Sequence, residues 1–113
     1  MRPTLQRTAQ FQLAYTQGRK HLCPAFVLFH LQDAPDTRVA FVASKKVGGA
    51  VQRNRAKRVL RAALAEVLRE MPEAGPGWMV LVARREILMR KSPEIAQALR
   101  GILERESPDA QPA

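Results

Sequence analysis

Residues 45–61 read KKVGGAVQRNRAKRVLR, a glycine pair running into a segment with apolar residues at helical spacing. At about 100° per residue, Ala56, Val59, Leu60, Ala63, Leu64 and Val67 gather on one side of a helix. Asn54, Lys57, Arg58 and Arg61 gather roughly a third of a turn or more away. The pattern predicts an amphipathic helix from Val51 or Gln52 to about Arg69, with a strongly basic polar face in its first half. Seven of the seventeen quoted positions are Lys or Arg and none is acidic. Such a block needs a polyanion to offset its self-repulsion, and a phosphate backbone is the usual one. The plainer alternative is a solvated charged face, but no acid lies anywhere from residue 37 to residue 65 to screen it.

On its N-terminal side, residues 38–44, RVAFVAS, read as a strand leading into the glycine pair. Residues 25–31, AFVLFHL, form a nearly continuous apolar run between Pro24 and DAPD, predicting a strand buried on both faces. Residues 33–36 supply a turn, so the two strands are most simply an antiparallel hairpin. Before them, Thr8 can cap a helix over about 9–17 that Gly18 ends, with Phe11 and Tyr15 on one face. Beyond the basic helix, Pro72, Gly75, Pro76 and Gly77 break the chain, and WMVLVA at 78–83 reads as another buried strand. Ser92 as N-cap, Pro93 and Glu94 open a last helix with a core stripe of Ile95, Leu99, Ile102 and Leu103. The tail from about residue 107, SPDAQPA, is too polar to pack and is expected to be flexible. The order helix, strand, strand, basic helix, strand, helix predicts one α+β domain over 1–113, built as a two-layer sandwich.

Composition agrees with a small nucleic-acid-binding domain: 113 residues, net charge +9 and a sequence pI of about 11.1. Residues 1–65 hold twelve Lys/Arg against two acids, and residues 66–113 hold seven against eight. The basic excess therefore lies in the first part. A 46% hydrophobic content suffices for one core at this length. Cys23 is the only cysteine, which excludes an internal disulfide or an all-cysteine metal site. MRPTLQRTAQF lacks the apolar run of a signal peptide, and no segment approaches the roughly 18–20 apolar residues that span a bilayer. The expectation is a cytoplasmic protein with no membrane partner.

The chemistry legible in the residues is recognition rather than catalysis. Arg engages phosphate through a planar fork, Lys acts as a point charge, and Asn54 adds an amide that can reach a base edge or ribose hydroxyl. The helix N-terminus contributes its own partial positive charge. Gly48–Gly49 does not fit the phosphate-loop pattern and reads as a turn that starts the helix close to its strand. Phe11 and Tyr15 are either stacking platforms for unpaired bases or core residues packed on the sheet, and their spacing alone favours the core. Phe26, Phe29 and Phe41 lie in apolar strands, where core is the default. His21 and Cys23 make only two ligands and read as free loop residues, and His30 has no visible partner for acid–base work. No catalytic residue set and no metal site is found.

The run SKKVGGAVQRNRAKRVLRAAL, residues 44–64, resembles the signature of the protein subunit of bacterial ribonuclease P. FQLAYTQGRK resembles that family's N-terminal helix, AFVLFHL its first strand and WMVLVARR a later strand, so the resemblance covers about residues 5–103. It implies an α/β sandwich with a four-stranded sheet and a left-handed β-α-β crossover around the basic helix, a fold shared with a domain of a small-subunit ribosomal protein. It implies a protein that binds a catalytic RNA and precursor tRNA, but not DNA. The holoenzyme hydrolyses the precursor to leave the mature tRNA 5′ end, and catalysis with its magnesium belongs to the RNA, the protein alone binding no cofactor. Carried over residue by residue, the RNA-binding set is Lys45, Lys46, Arg53, Asn54, Arg55, Lys57, Arg58 and Arg61. Phe11, Tyr15 and Phe29 would line a cleft for the 5′ leader, which reverses the reading of the first two as core. Gly49 departs from the polar or basic residue that relatives often carry, and the segment before the first helix is less basic than in some. A structural RNA-binding protein of the ribosomal type shares the size and charge but not the signature. A helix-turn-helix DNA binder is disfavoured, because a strand and glycine loop precede the basic helix.

Overall fold

The two most apolar runs become neighbours at the centre of one four-stranded sheet. The structure, a computed structural model, describes residues 4–74 and 77–106. Gly75, Pro76 and the tail from residue 107 lie outside the described residues. Along the chain come α1 (Thr8–Gln17), β1 (Arg19–Leu22), β2 (Phe26–Leu31), β3 (Arg38–Val42), α2 (Ala50–Glu70), β4 (Trp78–Ala83), a 3-10 helix (Arg85–Met89) and α3 (Ser92–Glu106). The strand order is β1-β2-β4-β3. β2 is antiparallel to both β1 and β4, whereas β3 and β4 are parallel. Parallel neighbours need a long connection, and α2 supplies it.

The hairpin expected between the 25–31 and 38–44 strands therefore does not form, because β4 lies between them. β4 is apolar along its whole length, so it is best buried with a strand on each side. The actual hairpin is β1–β2, turning through residues 23–25. β1 carried no sequence signal: RKHL is short and polar, as an edge strand that pairs on one side only can be. The 38–44 strand ends at Val42, and helix starts shift by a residue. Arg7, not Thr8, is the N-cap of α1, where the Gln10 side-chain oxygen accepts from the Gln6 and Arg7 amides at 2.9 and 3.1 Å. Ser92 is the first residue of α3, and the Lys91 carbonyl accepts from Glu94 at 3.0 Å.

Side-chain alternation divides the core in two. Phe26, Leu28, Met79, Leu81 and Val39 face α2 and α3, meeting Leu60, Ala63, Leu64 and Val67 of the first and Ile95, Leu99, Ile102 and Leu103 of the second. Ala40, Trp78 and Val80 point the other way, packing with Ala14 of α1 and with Leu5. To the two-layer frame of sheet and long helices, α1 thus adds partial cover on the opposite face. Ten residues with a single buried side chain cannot shield a whole sheet, so part of that face stays open.

Trp78 starts β4 with its indole donating to Asp36 at 2.6 Å, and Arg38 donates to the same carboxylate at 2.9 Å. These two hydrogen bonds hold the Asp36 carboxyl below its ordinary range. Gly77, just before, has φ +84°, and a Cβ there would meet the Leu31 carbonyl oxygen. Gly77→Ala should destabilise the fold by at least about 1–3 kcal/mol from backbone strain alone, lowering the melting temperature by several degrees. An unchanged thermal transition would contradict this account of the β4 entry.

Candidate nucleic-acid interface

The basic helix is launched by a loop with one buried anchor. Val47 is packed into the core between exposed Lys45 and Lys46 on one side and the glycines on the other. The Ser44 hydroxyl accepts from the Lys46 amide at 3.3 Å and the Ser44 carbonyl from the Val47 amide at 3.0 Å. Gly48 has φ +149°, and a Cβ there would press on the Gln52 side chain, so this position needs glycine. Gly49 is the N-cap, and its amide donates to the Gln52 side-chain oxygen at 2.6 Å. The glycine pair thus forms the turn into the helix, at the end of a seven-residue loop that follows the strand. The first turn of α2 holds no acid to answer the helix dipole, which leaves that end favourable for an outside anion.

Asn54, Arg55, Arg58 and Arg61 are exposed, and Lys57 is half-buried. Arg61 lays its guanidinium 5.3 Å from the centre of the Phe41 ring. Arg53 is also half-buried, since it stands two turns before Leu60 and so falls toward the apolar side rather than away from it. What marks this strip is a dense cluster of cations without acids. Arg38, Arg90 and Arg100 are bound to Asp36, to Glu86 and Glu94, and to Glu70. Among the described residues, none of Lys45, Lys46, Arg53, Arg55, Lys57, Arg58 or Arg61 has a carboxylate partner. Arg7, Arg19, Lys20, Arg69, Arg84, Arg85 and Lys91 also form no salt bridge among the described residues, but they occur singly or in adjacent pairs. The seven cations of the loop and α2 instead lie together in a stretch without an acid and are available to phosphate.

The aromatic set lies on the other face of the sheet. Phe11 and Tyr15 of α1 have ring centres 6.3 Å apart, and Tyr15 meets Phe29 of β2 edge-on at 4.8 Å. Tyr15 is 39% exposed, and Phe11 and Phe29 are half-buried. Lys20, opposite Phe29 in the register, places its ammonium 5.8 Å from that ring. Burial raises the Tyr15 pKa. The register then aligns Leu22, Val27, Val82 and Val42 in one row across all four strands. Leu22 is exposed and the three valines are half-buried, so an apolar band runs beside the aromatics. This surface offers faces for bases, an apolar floor and a cation beside them. Lys20 and the aliphatic row were invisible in the sequence, because only strand register brings them beside Phe29.

The histidines have a different role from the one their sequence positions implied. Glu106, the last residue of α3, bonds His30 Nδ1 at 2.6 Å and His21 Nε2 at 2.9 Å. Burial opposes ionisation of Glu106, but the hydrogen bonds and charges of the two histidines outweigh it and lower its pKa. His21 therefore belongs to β1 rather than to a free loop, and His30 has a partner 76 residues away. The trio fastens the end of α3 to the β1–β2 hairpin. Among the described residues, no group of three or more His, Cys, Asp or Glu could hold a metal ion, and no helix is long and apolar enough to cross a membrane.

Comparison with known proteins converges on one family. The ribonuclease P family model matches residues 2–107. The chain is 44% identical over 102 residues to the ribonuclease P protein component of Nitratiruptor sp., covering 90% of each protein. It is 38% identical over 104 residues to that of Symbiobacterium thermophilum, covering 89% of this chain and 88% of the relative. Among solved structures, the RNase P protein of Thermotoga maritima superposes with a TM-score of 0.71 at 23% identity, covering 92% of this chain and 97% of that one. The Staphylococcus aureus RNase P protein gives 0.69 at 21% identity, covering 95% and 97%.

Proposed function

This chain belongs to the ribonuclease P protein family, and from that premise we propose how its two surfaces divide the work of a tRNA-processing ribonucleoprotein. The loop of Lys45 and Lys46 and the exposed side of α2 bind the catalytic RNA. The cleft of Phe11, Tyr15 and Phe29 takes the 5′ leader of precursor tRNA. The protein brings substrate and RNA together in the cytoplasm, while hydrolysis and its magnesium ions remain with the RNA.

The observation that carries this reading is the cluster of seven cations on the loop and α2, none with a carboxylate partner among the described residues and none near an acid in the sequence. A run of unpartnered cations is costly in isolation and is relieved when phosphates displace their counterions. The aromatic cleft supports the second assignment, because a half-exposed cluster with a cation at its rim suits unpaired bases better than a duplex. A mature tRNA has no leader to occupy it, so the cleft would distinguish substrate from product.

The test is reconstitution. The purified, nuclease-free chain alone should leave precursor tRNA intact. Added to the catalytic RNA at low magnesium, it should restore cleavage at the mature 5′ end. Cleavage by the protein alone, abolished by a point mutation in it, would contradict the assignment of catalysis to the RNA.

A further inference from the structure

We propose that a groove between the β3 edge and α2 holds one unpaired nucleotide of the catalytic RNA, its base on the apolar floor and its phosphate between Lys57 and Arg61. This deepens the assignment of α2 as an RNA-binding face and rests on it. The groove has a volume of about 880 Å³, with Val39, Phe41, Leu64 and Leu68 among its lining residues. That lies within the roughly 300–1,000 Å³ of small-molecule sites. Lys57 and Arg61, one turn apart on the same side of the helix, stand at its edge, and no carboxylate lines it. Among the described residues neither cation has an acidic partner.

The combination selects the ligand. Phosphate alone would need the cations but not the floor, and an uncharged apolar ligand would need the floor but not the cations. A nucleotide uses both. The Arg61 guanidinium over Phe41 adds a flat, cationic surface of the kind on which bases stack. The groove is also continuous with the exposed strip of Asn54 and Arg58, one turn and one residue away along the same helix. RNA already lying along that strip would need to splay only one base to reach it.

Ala65 is exposed and lines the groove, so Ala65→Phe fills it without changing charge or the buried face of α2. With folding verified by a thermal melt, the variant should bind the catalytic RNA at least about fivefold more weakly. One base protected from chemical modification in the wild-type complex should become reactive. Wild-type affinity and an unchanged protection pattern, with Arg58→Ala still weakening binding, would overturn the groove and leave the basic face standing. No effect of either variant would remove both. As a second measurement, a nucleoside monophosphate titrated into the free chain should shift the amide resonances of Phe41, Ala65 and Leu68, and inorganic phosphate should not. Equal shifts from both would also overturn the proposal.

Discussion

A holoenzyme carrying Phe11→Leu and Tyr15→Leu should lose a large part of its affinity for precursor tRNA and none for mature tRNA. Leucine preserves apolar volume against the sheet but removes the flat faces on which bases stack. Removing each stack costs about 1–3 kcal/mol, which is roughly 5- to 150-fold in affinity per base. The cluster is suited to this, because Tyr15 is 39% exposed and braced edge-on by Phe29 at 4.8 Å. Assembly with the catalytic RNA should be unaffected, since α2 lies across the sheet. Direct binding measurements with precursor and mature tRNA check it. Equal weakening for both tRNAs, or none for either, would return these aromatics to a packing role.

The second large effect belongs to the opposite face. Arg55→Ala with Arg58→Ala should weaken binding of the catalytic RNA by at least on the order of 100-fold, taking about 1.5–3 kcal/mol for each charge-assisted hydrogen bond. The log–log dependence on salt should flatten by roughly 1.4–1.8, or about 0.7–0.9 for each phosphate no longer neutralised. Both side chains are exposed and have no carboxylate partner among the described residues, so the fold should hold. Arg53 is a poorer choice, because its half-buried position would mix a packing loss with the electrostatic one. A folded double variant with the wild-type salt slope would remove this face from the interface.

The basic helix was legible to within two residues at either end, because apolar spacing over twenty-one residues is a local signal and its cations sit between the apolar positions. The three apolar strands were legible for the same reason. Their arrangement was not: nothing local to 25–31 and 38–44 says that residues 78–83 will come between them. β1 escaped because RKHL has neither alternation nor apolar content, and with it went Lys20 and Leu22 as parts of the cleft. The Glu106 clasp on His21 and His30 escaped because the partners are 85 and 76 residues apart. Phe29 shows the limit most clearly. Its strand looked buried on both faces, and only the short span of α1 leaves one of its neighbours uncovered. The roles proposed for the site residues rest on the family signature, while where they stand required the fold.

We propose that two RNA-binding surfaces on opposite faces of one sheet act separately. The most direct test measures precursor and mature tRNA affinity, side by side, for holoenzymes assembled with the wild-type chain, the Phe11/Tyr15 variant and the Arg55/Arg58 variant. The aromatic variant should narrow the preference for precursor while assembling normally. The arginine variant should need more protein to assemble, yet keep the full preference once saturated. An arginine variant that loses the precursor preference, or an aromatic variant that fails to assemble, would show that the two surfaces are not separate.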